Sequence, residues 1–224
     1  MCGRFSFSIP SKAKSLVKLG IPQTQLAKLK PRYNIAPSNQ VAAVIDDGSR
    51  HLEPLKWGLI PSWAENPAIG SRMINARAET ITEKPSFRQL VTKHRCLILA
   101  NGFYEWKATA DGKQPYYIHL KNGEPFTFAG LWSHWNNPKG GEVRSCTIIT
   151  CEPNKLMEVI HNRMPVILDE KARETWLDSK NIDSEALAHL LKPYPASEME
   201  SYPVSKIVNS PATDDEECMR PINL

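Results

Sequence analysis

The chain opens MCGRF, and positions 2 and 3 carry chemistry. Met1 is removed during synthesis when the second residue is small, and Cys2 qualifies. The mature chain then starts with a cysteine whose α-amine and thiol are two carbons apart, two nucleophiles able to act together. An α-amine titrates near 7.7–8.0, against about 10.4 for lysine, so far more of it is neutral and nucleophilic at pH 7. Gly3 gives the first turn the backbone freedom to present such a terminus.

Three later stretches put polar residues where a strand prefers apolar ones, and such breaks of local pattern tend to mark sites. In MINARAET, the residues Asn75, Arg77 and Glu79 alternate and share one face if the stretch is extended. A solvated strand face explains that pattern equally well. In NGFYEWK, Glu105 stands between Tyr104 and Trp106, directly after apolar CLILA. It is either an exposed edge residue or a partly buried acid with a raised pKa, and alone the first reading leads. In VIHNRMPVIL, His161 lies between apolar runs beside Asn162, Arg163 and Pro165. A lone histidine is more often structural than catalytic, so its company decides.

Several elements must position these residues. RFSFS reads as a strand, followed by a helix from Ser11 to Leu19 that Gly20 stops. PRYNIAPSNQ, with two prolines and two asparagines, reads as an ordered loop. VAAVID and HLEPLKW, joined by DGSR, read as a hairpin. From Gly58 to Arg72 the chain has proline, glycine and Trp63 without a period, and a loop of that length in a compact domain is more often functional than idle. KPSFRQLVTKHR reads as a helix with Phe87, Leu90 and Val91 on one face. CLILA, GFYEW, PYYIHL, FTFAGLW and VRSCTIIT then follow between turns, with the spacing and β-branched content of an antiparallel meander. Helical segments are expected near 153–160, 169–178 and 183–191, and from 193 onward a proline-rich stretch ends in acidic DDEE. The whole is expected to be α+β, one domain over 1–224, with roughly the last ten residues as a tail.

Composition excludes several classes. The 224 residues are 41% hydrophobic and 23% charged, as in an ordinary globular protein. A net charge of +4 suits an anionic partner without requiring one. Apolar runs such as VAAVI and LILA fall far short of the roughly 20 residues that cross a bilayer, and the start has no signal pattern, so a cytoplasmic protein is expected. Cys2, Cys96, Cys146, Cys151 and Cys218 match no metal spacing, and Cys96 and Cys146 read as inert buried thiols. No phosphate loop or zinc motif appears, so no cofactor and no metal are expected.

The sequence resembles the SOS response-associated peptidase (SRAP) family, the abasic-site processing proteins. The resemblance rests on MCGRF, RYNIAPSNQ, WGLIPSWA, INARAET, ANGFYEW with KQPYYI, IHNRMPVIL and YPVSKIVN, in order over nearly the whole chain. It implies a twisted, mostly antiparallel β core flanked by helices, a groove for single-stranded DNA, and covalent capture of abasic sites. It carries catalytic roles onto Cys2, Asn75, Glu105 and His161. It also implies a monomer acting on single-stranded DNA at the nucleoid, with replication-fork proteins as further partners, and lyase or self-processing chemistry at the same terminus. Contacts to DNA are expected from Arg4, Arg77 and Arg163 on phosphates, Trp63 and Trp106 on exposed bases, and Asn34 and Pro37 in RYNIAPSNQ. Trp132 and Trp176 are expected in the core. A cysteine N-terminal nucleophile hydrolase, limited to amide cleavage or removal of Met1, is the rival reading.

Overall fold

The computed structural model describes residues 2–8, 16, 18–138 and 140–224. Their strands form two sheets. The first is five-stranded, in the order β12 (Met199–Pro203), β8 (Gly112–Leu120), β7 (Gly102–Thr109), β1 (Arg4–Phe7) and β2 (Arg32–Ile35). The second runs β11 (Met164–Pro165), β10 (Glu142–Cys151), β4 (Arg50–Trp57), β3 (Gln40–Asp46), β6 (Arg95–Ala100) and β9 (Phe126–Asn136), with β5 (Asn75–Arg77) paired to β10. Because β9 also pairs with β10, strands β10, β4, β3, β6 and β9 close on themselves as a small barrel. Closure removes sheet edges. The pairings are antiparallel except where β10 meets β4 and β5. Short helices α1 (Gln23–Leu26), α2 (Arg88–Lys93), α3 (Glu170–Leu177) and α4 (Ser184–Ala188) lie outside the sheets, and none is long and apolar enough to cross a membrane among the described residues.

The strands follow from their side chains. RCLILA is buried at every position, as a strand covered on both faces must be. The two sheets pack through aromatics: Phe5 of the first lies 5.3 Å from Trp57 and 5.6 Å from Phe128 of the second, ring centre to ring centre. Truncating such a ring costs about 3–5 kcal/mol. Trp132 and Trp176 are buried as expected, and so are Cys96 and Cys146.

The DGSR hairpin and the helix at Arg88–Lys93 form where the pattern puts them. Other elements differ. RYNI is a strand, not a loop: Pro31 and Pro37 lie just outside it, and Ile35 pairs with Phe5. The five strands from Arg95 to Cys151 are not one meander. The β7–β8 hairpin joins the first sheet while β6, β9 and β10 remain in the second. Residues 155–160 form turns rather than a helix, and within the proline-rich stretch that begins at 193 β12 pairs along β8. The expected Ser11–Leu19 helix lies largely outside the described residues. Gly20 has the left-handed backbone (φ 72°) that a helix stop uses.

The Gly58–Arg72 loop is closed by backbone contact. Gly58 has φ 126°, and a Cβ there would meet the Gly70 carbonyl oxygen at 2.7 Å. Two glycines let the chain cross itself, and the loop projects Trp63 into solvent, 61% exposed.

Candidate active site at the junction of two sheets

The chain terminus enters β1 against β7 in a register that sets Arg4 opposite Tyr104. Glu105, one residue further along β7, is therefore level with the start of the chain. Strand alternation turns Tyr104 toward Tyr33 and Tyr117, and Glu105 to the face of Phe103, the core face. Glu105 is 2% exposed. Its burial pushes the carboxyl above the usual range, and the charge of His161 acts in the opposite direction. Cys2 is completely buried. Burial raises its thiol strongly, and the nearby Glu105 charge raises it further, so the sulfur stays protonated at neutral pH.

The second sheet supplies the opposite wall. β5 runs parallel to β10, with Asn75 beside Ile148 and Arg77 beside Thr150. Across the junction, Asn75 Nδ2 donates to the Cys2 carbonyl at 2.8 Å. Asn75 Oδ1 is buried and has no hydrogen-bond partner among the described residues. A buried acceptor left open is costly, and it is the kind of group a ligand or a released amine completes.

His161 reaches the same place from the turns after β10. Asn154 builds those turns: its Oδ1 accepts from the N–H groups of Leu156 (3.1 Å) and Met157 (3.0 Å), and its Nδ2 donates to the Tyr194 carbonyl at 2.6 Å. The Arg163 N–H donates to His161 Nδ1 at 3.0 Å. With Nδ1 an acceptor, the neutral ring carries its proton on Nε2, the form in which it can donate. Among the described residues, no three His, Cys, Asp or Glu side chains converge as a metal-binding group.

A buried cysteine just before β1, an amide of β5 holding its carbonyl, a buried carboxyl of β7 and a histidine in the turns after β10 thus come from four separate stretches of chain. The family model for SOS response associated peptidase (SRAP) matches residues 1–211. The chain belongs to this family. It is 48% identical to Abasic site processing protein YoqW of Bacillus subtilis over 97% of this chain and 98% of that one. It is 33% identical to Abasic site processing protein HMCES of Gallus gallus, over 88% of this chain and 68% of that one. Among solved structures, a protein from Bacteroides thetaiotaomicron superposes with a TM-score of 0.84 at 29% identity, covering 98% of this chain and all (100%) of that one.

The SRAP frame puts the expected DNA-contacting residues in different settings. Arg77 and Trp63 are exposed and Pro37 is half-buried at the surface. Trp63 lines a cavity of about 340 Å³ with Ile69 and Arg72. Asn34 is not at the surface. It is fully buried, its Oδ1 accepts from Arg4 (2.8 Å), and its Nδ2 is shared among the carbonyls of Val208, Ser210 and Thr213 (3.1, 3.0 and 2.7 Å). Such an amide has nothing left for DNA. Arg4 also donates to the carbonyls of Val208 (2.6 Å) and Asn209 (3.1 Å), and Trp106 Nε1 donates to Asn209 Oδ1 at 2.8 Å. These side chains tie down the C-terminal segment. Arg163 forms a two-pronged ion pair with Glu79 (2.6 and 2.9 Å). Glu79 itself has left the strand face shared by Asn75 and Arg77, because β5 ends at Arg77 and a 3₁₀ turn follows. The role of Thr150, whose carbonyl also accepts from Arg163 at 2.6 Å, was not foreseen; a polar residue closing the apolar run CTIIT was its one signal.

Proposed function

We propose that this SRAP protein processes abasic sites in single-stranded DNA by bonding to them covalently through Cys2 once Met1 is gone. An abasic deoxyribose is mostly a closed hemiacetal with a little open aldehyde. His161 Nε2–H donates to the ring oxygen as the ring opens, and the proton passed there is replaced by the one the anomeric hydroxyl gives up as it becomes the aldehyde, so the imidazole ends neutral. The Cys2 α-amine adds to the aldehyde carbon, and water leaves with a proton that Glu105 supplies, giving a Schiff base. The Cys2 sulfur then adds to the imine carbon while its proton passes by way of Glu105 to the imine nitrogen. Sulfur, two carbons, nitrogen and the sugar carbon close a thiazolidine. Closure is intramolecular, so the effective concentration of the thiol is high and the adduct lasts. Asn75 holds the Cys2 carbonyl, and its open Oδ1 is available to the released amine.

Arg77, Trp63 and Pro37 are the surface residues proposed to meet the strand. A missing base leaves backbone shape and charge to be recognised, so little sequence preference is expected. The Schiff base is also the species from which a strand-cleaving elimination would start, and removal of Met1 is the amide cleavage the site itself could perform.

One observation carries this reading: the 2.8 Å hydrogen bond that fixes the start of the chain across the sheet junction, beside a buried acid and a donor histidine. The names of relatives that span nearly the same length support the substrate. The test is a denaturing gel after incubation with a single-stranded oligonucleotide bearing one abasic site. A slow-migrating covalent band is expected, absent for Cys2→Ala and for protein whose Cys2 amine is blocked by an uncleaved tag. Full bonding by the tagged protein contradicts the mechanism. Repeated turnover without a band favours a hydrolase with the same nucleophile.

A further inference from the structure

We infer that Glu79 is a positioning residue: its ion pair with Arg163 holds the His161 turn in register with the Asn75 strand. This rests on the capture reading above for its kinetic consequence, though not for its structural one.

The two segments flank β10 at the same level. Thr150 has Arg77 of β5 on one side and Pro165 of β11 on the other. The ladder ends at Arg77 on one side and at Met164 on the other, so Glu79 and Arg163 lie just outside it. Their ion pair carries the alignment past its end. The two terminal nitrogens of Arg163 grip both Glu79 oxygens at 2.6 and 2.9 Å, and one of them also donates to the Thr150 carbonyl at 2.6 Å. A planar fork bound at both prongs fixes direction as well as distance, which a lysine could not.

The same residue controls the histidine. The Arg163 backbone N–H occupies His161 Nδ1. Guanidinium and N–H belong to one residue, so a shift of the side chain is passed to the ring that the N–H orients. The Arg163 side chain is only 14% exposed, while Glu79 reaches it from the surface, 49% exposed. Hydrogen bonds from Arg163 are the main reason the Glu79 carboxyl lies below its ordinary range, so the clamp stays charged at neutral pH. Without Glu79, the guanidinium keeps only Thr150, through its carbonyl at 2.6 Å and its hydroxyl at 3.4 Å, and its buried Nε already has no partner among the described residues. A charge in that position moves toward water and takes the turn with it.

The experiment compares wild type with Glu79→Gln, which keeps the size and loses the charge, below the melting midpoints of both. Single-turnover adduct formation with an abasic oligonucleotide is expected to slow about 10-fold. Affinity for an oligonucleotide with a tetrahydrofuran abasic analogue, which has no aldehyde, is expected to stay within about two-fold. In ¹⁵N spectra, His161 Nδ1 should leave the acceptor position seen in wild type and move toward the average of exchanging tautomers. The charge-swapped pair Glu79→Arg with Arg163→Glu should recover rate lost by Glu79→Arg alone. An unchanged rate with an unchanged Nδ1 signal in Glu79→Gln overturns the inference, as does a loss confined to affinity. If wild type forms no adduct, the capture reading fails, and the ¹⁵N comparison alone decides the clamp.

Discussion

Asn34 and Asn75 are the same side chain in adjoining parts of one molecule, and they differ in how much of their bonding is used. Asn34 is fully buried and saturated, with an arginine on its oxygen and three backbone carbonyls around its nitrogen. Asn75 is half-buried, spends its nitrogen on the Cys2 carbonyl, and keeps a buried oxygen with no partner among the described residues. A folded chain completes most of its buried polar groups, and Thr127 and Thr147 are exceptions here that lie outside the site. The saturated amide belongs to the fold; the unsaturated one stands out because its side chain holds the start of the chain. Both stand in motif-like stretches with similar polar company, so sequence placed both in the site, and geometry separates them.

Substitutions can break or sharpen this contrast. The largest effect is expected for Asn75→Ala. Capture should fall about 10²–10³-fold, or about 3–4 kcal/mol in the barrier, for the loss of a preorganised polar contact. Its thermal stability should stay within about 1 kcal/mol, because only one bond to protein is lost. Rates and melting curves on the same sample decide this. Asn34→Ala should show the reverse: about 3 kcal/mol of stability gone, from orphaned carbonyls and a guanidinium short of an acceptor, with the capture rate per folded molecule near wild type. If the two variants exchange these signatures, the division between fold and site is wrong.

Glu105→Gln should slow capture about 10–10²-fold. It should also stabilise the fold at neutral pH. Burial raises the folded-state value of this carboxyl, so the folded chain bears the cost of an unwanted charge once pH exceeds that value. Below the ordinary carboxylate range both states are protonated, and melting at about pH 3 should show the advantage gone. The smallest effect is expected at Asp214. Burial tends to raise its carboxyl, but bonds from Arg32 and from the N–H groups of Tyr33 and Asn34 outweigh that and hold it below the usual range. Asp214→Asn should cost about 1 kcal/mol at pH 7. That contribution is full above the unfolded-state value and fades as pH falls through the lower folded-state one, so the variant and wild type should converge in acid.

The strands with continuous apolar or alternating content were legible because burial writes itself into such patterns: β3, β4, β6 and the β7–β8 hairpin follow directly. Asn75, Glu105 and His161 each break a local pattern, but it was the family resemblance that joined them with Cys2 as one candidate site. Other features depend on partners far along the chain. β2 is a four-residue strand bracketed by Pro31 and Pro37, and only its pairing with β1 makes it one. The turns before His161 rest on Asn154 reaching Tyr194. Asp214 covers the β2 edge from a segment that reads as a loose acidic tail. The exchange of strands between two sheets, which brings Cys2 to Asn75, has no local signature at all.

The most direct test of the central claim is the intact mass of untagged protein before and after incubation with a single-stranded oligonucleotide carrying one abasic site. The account predicts a starting mass lacking methionine and a product heavier by the oligonucleotide minus one water, stable to heating in denaturant. A chain that lacks Met1 yet gains no mass under these conditions would contradict it.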